Sequence, residues 1–170
     1  MKIDLKRTDN APAAFDLKIE PEEIDLDSDL ARVNGTVSAS GTVSNGEDIT
    51  IIEASVSAPL LIDCSRCLKE IPDNRKLEFR TAYALSEDLD EEQEVELDLD
   101  DLELSISEED EVDLVDIIRE QIILNLPAHP LCKEDCKGLC EVCGGDLNKV
   151  DCNCKQNETD PRWAALKDLK

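Results

Sequence analysis

Aromatic side chains are nearly missing from this 170-residue chain, which has only Phe15, Phe79, Tyr83 and Trp163. The interior therefore has to be built from Val, Ile, Leu and Ala, which a hydrophobic content of 41% can supply. No broad ring surface for stacking a base or a planar cofactor is implied. Histidine occurs once, as His129 in "PAHP", and reads as a loop residue between two prolines. With no Ser/His/Asp arrangement, no GxSxG and no glycine-rich phosphate loop, the usual hydrolase and nucleotide-binding signatures are absent, and no small-molecule substrate is expected. No apolar run approaches the roughly 18 residues that span a bilayer, and "MKIDLKRTDNAPAAF" lacks a signal-peptide core, so a cytoplasmic protein with no membrane partner is expected.

Basic residues are scarce where acids are dense. Residues 1–128 carry 11 basic and 34 acidic side chains, a net of −23, whereas residues 129–170 carry 7 and 8, a net of −1. Between Arg80 and Arg119 there is no Lys or Arg, and Glu87 to Asp116 holds 17 acids. Such a field repels phosphate backbones and attracts basic partners over roughly 8 Å at physiological salt. The plainer reading is a solvated loop that keeps the chain soluble.

What is present in regular form is β-pattern. "RVNGTVSASGTVSNGEDITIIEASVSAPLLID" alternates aliphatic with small polar residues from Arg32 to Asp63. Asn45-Gly46 predicts a type I′ turn joining strands 33–43 and 48–62 as an antiparallel hairpin. Gly35 and Gly41 are candidate bends or bulges. "FDLKIE" (15–20) and "KLEFRTAYAL" (76–85) predict further strands, and Val95, Leu97, Leu99, then Leu102, Leu104 and Ile106, alternate within the acidic region. "SEDLDEEQE" reads as a disordered loop. Leu114, Val115, Ile118, Ile122 and Leu126 form one helical stripe, widened by Ile117 and Ile123, and predict a helix over about 110–126 with acids at its amino end and Pro127 after it. Asp160 and Pro161 suit the start of a short terminal helix, in which Trp163 would be a packing plug. The expected fold class is α+β: an antiparallel β-rich body with one main helix over residues 1–128, and a cysteine-rich metal-binding tail over 129–170 packed on it, a zinc-knuckle segment ending in a short helix.

Eight cysteines stand out against this background: Cys64, Cys67, Cys132, Cys136, Cys140, Cys143, Cys152 and Cys154. In a reducing compartment they read as metal ligands before disulfides. Cys140-Glu-Val-Cys143-Gly144-Gly145 has the form of a zinc knuckle, two thiolates three positions apart with glycines that let the chain turn tightly. All-sulfur ligation points to structural zinc, and a catalytic site would want an open position with His or carboxylate. Four ligands close a site, so eight thiols suit one or two ions. Cys140 and Cys143 are expected to share one. Spacing alone does not decide whether Cys132/Cys136 or Cys152/Cys154 completes that site, with Cys64 and Cys67 candidate donors for a second. The basic residues Arg66, Lys133, Lys137, Lys149, Lys155 and Arg162 interleave with the knuckles, either as a phosphate-facing patch or as scattered surface charge.

"CSRCLKEI" after the long hairpin, "IREQIILNLPAHPLC", "CKGLCEVCGGDLN" and the terminal "DPRWAALKDL" together resemble the YceD family of large ribosomal RNA subunit accumulation proteins, across most of the chain. The resemblance implies a bacterial, non-enzymatic factor supporting 23S ribosomal RNA accumulation or processing, and so large-subunit biogenesis. By the same resemblance Cys64 and Cys67 match the family's central CxxC, and the 132–154 cluster matches a tail found in part of it. The expected partners are a basic ribosomal protein or a pre-large-subunit particle met by the acidic body, with ribosomal RNA touched by the tail. A second reading is a zinc-dependent redox-regulated holdase chaperone, because thiolate-bound zinc can be released on oxidation.

Overall fold

The computed structural model describes residues 1–6, 11–46, 49–86 and 104–154. The chain forms two compact units, one of Met1–Ile62 with Ile71–Ala128 and one of Asp63–Glu70 with His129–Lys170.

The first unit is β-rich. Its strands are β1 (Lys2–Asp4), β2 (Ala13–Ile19), β3 (Ala31–Val33), β4 (Val37–Asn45), β5 (Ile49–Asp63), β6 (Glu70–Leu85), β7 (Leu104–Ser107) and β8 (Glu111–Asp113), followed by helix α1 (Leu114–Leu124). The main sheet runs β2-β4-β5-β6-β7, with β3 also paired to β5, and β1 pairs with β8 as a separate ribbon. Strand β5 shows why the chain folds this way. Thr50, Ile52, Ala54, Val56, Ala58, Leu60 and Ile62 are all buried, with the period of two that places every second side chain on one face. β4 offers Val37, Ala39 and Val43 to the same core, and α1 covers it with Leu114, Ile117, Ile118 and Ile122. Among the described residues Phe15 is the one buried aromatic; Phe79 and Tyr83 lie half-buried against the cluster.

Three expectations need correction. The hairpin forms, but its turn is displaced. Asn45 pairs with Thr50 and the Gly46 amide donates to the Ile49 carbonyl at 2.7 Å, so the pairing runs past Asn45-Gly46 and the chain does not turn there. Ser44 pairs with Ile51, where a turn at Asn45-Gly46 would pair it with position 47; the register is shifted by four residues, an even number, so the buried and exposed faces keep their identity. Second, the sheet is mixed, because β7 runs parallel to β6 with Ala82 opposite Leu104. A parallel partner needs a crossover of about a dozen residues or more, and the length of chain between Leu85 and Leu104 allows one. Third, the helix starts at Leu114. Glu111–Asp113 pair with β1 instead, Ile3 opposite Val112, leaving one acid of that run to cap the helix. Gly41 is not a bulge, since its register with Ala54 is continuous, and Gly35, at φ +152°, lies between β3 and β4. The alternation at Val95, Leu97, Leu99 and Leu102, the loop beyond Ser86 and the terminal helix with Trp163 lie outside the described residues.

Asp113 caps α1, its carboxylate accepting from the Val115 amide at 2.9 Å. That amide holds the Asp113 carboxyl below the usual aspartate range. A depressed native value means that the contribution is complete above the unfolded value and is lost as pH falls through the native one. Asp113→Ala is expected to cost about 1 kcal/mol at neutral pH, measured by denaturant unfolding, and the difference from the parent should shrink in acid.

Candidate metal centres

The second unit has almost no aliphatic core. Among its described residues the buried hydrophobic side chains are Cys64, Cys67 and Cys136. Chain turns bring thiols together instead. Cys64-Ser-Arg-Cys67 lies between β5 and β6; the Leu68 amide donates to the Cys64 carbonyl at 2.9 Å and the Cys64 amide to the Lys69 carbonyl at 2.9 Å. Cys140-Glu-Val-Cys143 repeats the construction. There the Gly144 amide donates to the Cys140 carbonyl at 2.8 Å, and the Cys140 amide to the Gly145 carbonyl at 2.8 Å. Both turns need a left-handed residue one place after the second cysteine: Gly144 at φ +69° accepts this freely, and Leu68 at +57° adopts it despite its side chain.

The eight sulfurs gather as two quartets, Cys64/Cys67/Cys132/Cys136 and Cys140/Cys143/Cys152/Cys154, in each of which all the sulfurs lie within 4.8 Å of one another. All eight thiols are free. In the first quartet Cys64 and Cys136 sulfurs are 3.8 Å apart and Cys67 and Cys132 sulfurs 3.6 Å. Four sulfurs each about 2.3 Å from a central ion form a tetrahedron with edges of about 3.8 Å, whereas a disulfide would draw two of them to about 2.05 Å. The donor set therefore fits a four-coordinate soft metal ion at each quartet.

The charges agree with that geometry. Burial pushes the Cys64 thiol up, but backbone amides of Cys132, Arg66 and Cys67 outweigh it and bring it down to about 6. At Cys140 the amides of Cys143 and Val142, helped by the Cys152 thiol, lower it to about 6. Cys132 and Cys154 go the other way: burial and then the neighbouring thiols push Cys132 up to about 12, and the Cys143 side chain followed by burial pushes Cys154 up to about 12. Each knuckle thus readily ionises its first cysteine, while thiolates crowded together oppose further ionisation. A cation among them removes that opposition.

Two residues that support the first quartet were not recognisable as such from sequence. Asn148 donates through Nδ2 to the Cys136 sulfur at 3.4 Å and to Asp146 at 2.8 Å, while its Oδ1 accepts from the Lys137 amide at 3.0 Å. The only local hint was the Asp-x-Asn spacing of 146 and 148, which favours a side-chain turn. Arg66 does structural work: Nη1 donates to the Cys136 carbonyl at 2.8 Å, and its own carbonyl accepts from the Leu139 amide at 3.2 Å. Gly138 lies against it at φ +75°, where a Cβ would stand 3.1 Å from the Arg66 oxygen. Lys133 and Lys149 are paired with Asp135 and Asp146 at 3.7 and 3.2 Å, which favours scattered surface charge over a phosphate patch. His129 is exposed and belongs to neither quartet. Lys155 and Arg162 lie outside the described residues.

Among the described residues no helix is long and apolar enough to cross a membrane. A β-sheet unit together with a unit holding two four-thiol clusters defines a two-part protein of the cysteine-knuckle kind, whose clusters could each hold a metal ion. Residues 52–170 match the family described as large ribosomal RNA subunit accumulation protein YceD. The chain belongs to the YceD family, a family named for accumulation of an RNA and not for a catalysed reaction. It is 25% identical to a Mycobacterium bovis protein over 99% of this chain and 81% of that one, and 28% identical to Bacillus subtilis YlbN over 91% and 86%. It is also 35% identical to the chloroplastic large ribosomal RNA subunit accumulation protein YCED homolog 1 of Arabidopsis thaliana, over 35% of this chain and 19% of that protein. No solved structure matches the chain.

Proposed function

We propose that this protein is a non-enzymatic, cytoplasmic factor that supports 23S ribosomal RNA accumulation or processing by binding to precursor large-subunit particles, and that its second unit is a module clamped by two structural zinc ions. Family membership supports the ribosomal role. The module reading is carried by one observation: the described part of the second unit gathers its thiols into two quartets and buries three of them, Cys64, Cys67 and Cys136, where an ordinary domain would bury aliphatic side chains. A unit of that size with no aliphatic core among its described residues draws its folding free energy from metal ligation. Zinc suits four thiolates and has no redox chemistry of its own, and with four protein ligands at each ion no position remains for substrate.

The acidic first unit suits a basic partner, a ribosomal protein or its tail on a precursor particle. Ribosomal RNA, if contacted, is met by the near-neutral segment 129–170, which does not repel phosphate as the body does. A redox-regulated holdase remains the second reading; it draws on the assembly of Cys140, Cys143, Cys152 and Cys154 as one partly accessible set. Depletion of the protein from cells is expected to lower 23S relative to 16S ribosomal RNA and to reduce large subunits on gradients. An unchanged ratio with a normal subunit profile would remove the ribosomal proposal.

A further inference from the structure

The two quartets share ligand type and turn geometry but not surroundings. In the first, Cys64, Cys136 and Cys67 are 0%, 2% and 7% exposed. The Asn148 amide closes over the Cys136 sulfur, and Arg66 ties the chain on both sides of it through Cys136 and Leu139. In the second, none of the four cysteines is buried, and Cys143 is exposed. A cavity of about 440 Å³, lined chiefly by Leu139, Cys140, Val142, Leu147, Cys152 and Cys154, opens directly beside it. That is within the range of sites that admit a small molecule.

Access decides how fast a thiolate-bound zinc ion changes hands. A four-coordinate ion exchanges most easily when an entering ligand can bind before the old ones have left, as zinc's tolerance of five-coordination permits. The second quartet offers such an approach through the cavity. In the first only Cys132 is partly exposed, so an entering ligand reaches one edge of the site and full release needs the surrounding chain to open, which is governed by local unfolding.

We propose that Cys140, Cys143, Cys152 and Cys154 form an exchangeable zinc site that gives up its ion to, and takes it from, acceptors bearing thiols or aminocarboxylates, while Cys64, Cys67, Cys132 and Cys136 hold theirs permanently. The proposal rests on the reading that both quartets bind zinc. In the transfer, acceptor sulfurs or carboxylates form bonds to the ion as the cysteine sulfurs lose theirs. Each departing thiolate gains a proton, each entering thiol surrenders one, and nothing is oxidised or reduced. With the first quartet still loaded, the knuckle stays tethered to it through the Leu139 amide on the Arg66 carbonyl and remains a receptor for the ion's return.

The test uses the full-length protein loaded with two zinc ions and an excess of the chromophoric chelator 4-(2-pyridylazo)resorcinol. One equivalent is expected to leave at least about 100-fold faster than the other, as local access and cooperative opening differ by that order. N-ethylmaleimide added after the fast phase should label Cys140, Cys143, Cys152 and Cys154 and spare the other four, by peptide mass spectrometry. A Cys143→Ser/Cys154→Ser variant should retain the slow equivalent alone. Release of both ions in one phase, or early labelling of Cys64, Cys67, Cys132 or Cys136, overturns the proposal. A protein that binds no zinc at all overturns the underlying metal reading instead.

Discussion

Stripped of metal, the protein is expected to lose amide-exchange protection through residues 63–70 and 129–154 by roughly a thousandfold or more, as expected when a ligand bound far below its free concentration is removed. The core around Ile52, Leu60, Leu114 and Ile118 should keep its protection, because that cluster contains no cysteine. Elemental analysis of the purified protein should give about two zinc ions per chain. The expected effect is large because ligation by four thiolates contributes on the order of 10 kcal/mol to folding of small zinc modules, while the second unit has no aliphatic core among its described residues to fall back on. Cys136→Ser isolates the first centre. It should lower the metal content by one equivalent and release the 63–70 turn, since Cys64 and Cys67 would lose the ion they share with the Cys136 sulfur, while the Arg66 bond to the 136 carbonyl is left in place. Metal-free protein with unchanged protection in those segments would show that side-chain packing, not metal, holds the unit.

Gly41→Ala is expected to destabilise the first unit by about 3 kcal/mol or more, lowering its melting temperature by roughly 10 °C. A Cβ at this position would stand 2.0 Å from the Glu53 carbonyl oxygen, 2.8 Å from the Ala54 Cα and 2.9 Å from the Phe15 ring. Two of the three obstacles are backbone in the neighbouring strand, so rotating a side chain does not relieve them. Gly41 is opposite Phe15 on one side and Ala54 on the other, and the ring covers the strand where it has no side chain of its own. Truncating the ring would therefore not rescue the substitution, because the Glu53 oxygen remains in place. Ser40→Ala, at the exposed neighbouring position, should move stability by less than about 0.5 kcal/mol. Near-parental stability of Gly41→Ala in denaturant unfolding would mean that β4 and β5 can separate at little cost.

Much of the sheet was legible residue by residue. The alternation from Thr50 to Ile62 follows from the period of a strand and needs no partner to be seen. Helix α1 was recognisable from its stripe, and its start was misplaced because Glu111 and Val112 can serve either a helix end or a strand, a choice settled by Ile3 arriving from the other end of the chain. The hairpin turn was misplaced for a related reason. Asn-Gly has a strong local preference, but the register is set by the whole length of β4 against β5, which outweighs one dipeptide. The parallel β6–β7 pairing had no local signature, since alternation looks the same in both directions.

The same division holds for the metal centres. The sequence by itself determined the donor chemistry: eight thiols, two CxxC knuckles and a single histidine leave sulfur as the donor, which suits a soft ion. Which thiols lie close enough to share an ion was decided only by tertiary structure. Cys64 meets Cys136 across 72 positions and Cys67 meets Cys132 across 65, contacts that depend on where the turn after β5 and the chain beyond α1 are delivered. Spacing along a chain limits which cysteines can approach one another; the long-range path of the backbone selects among those possibilities.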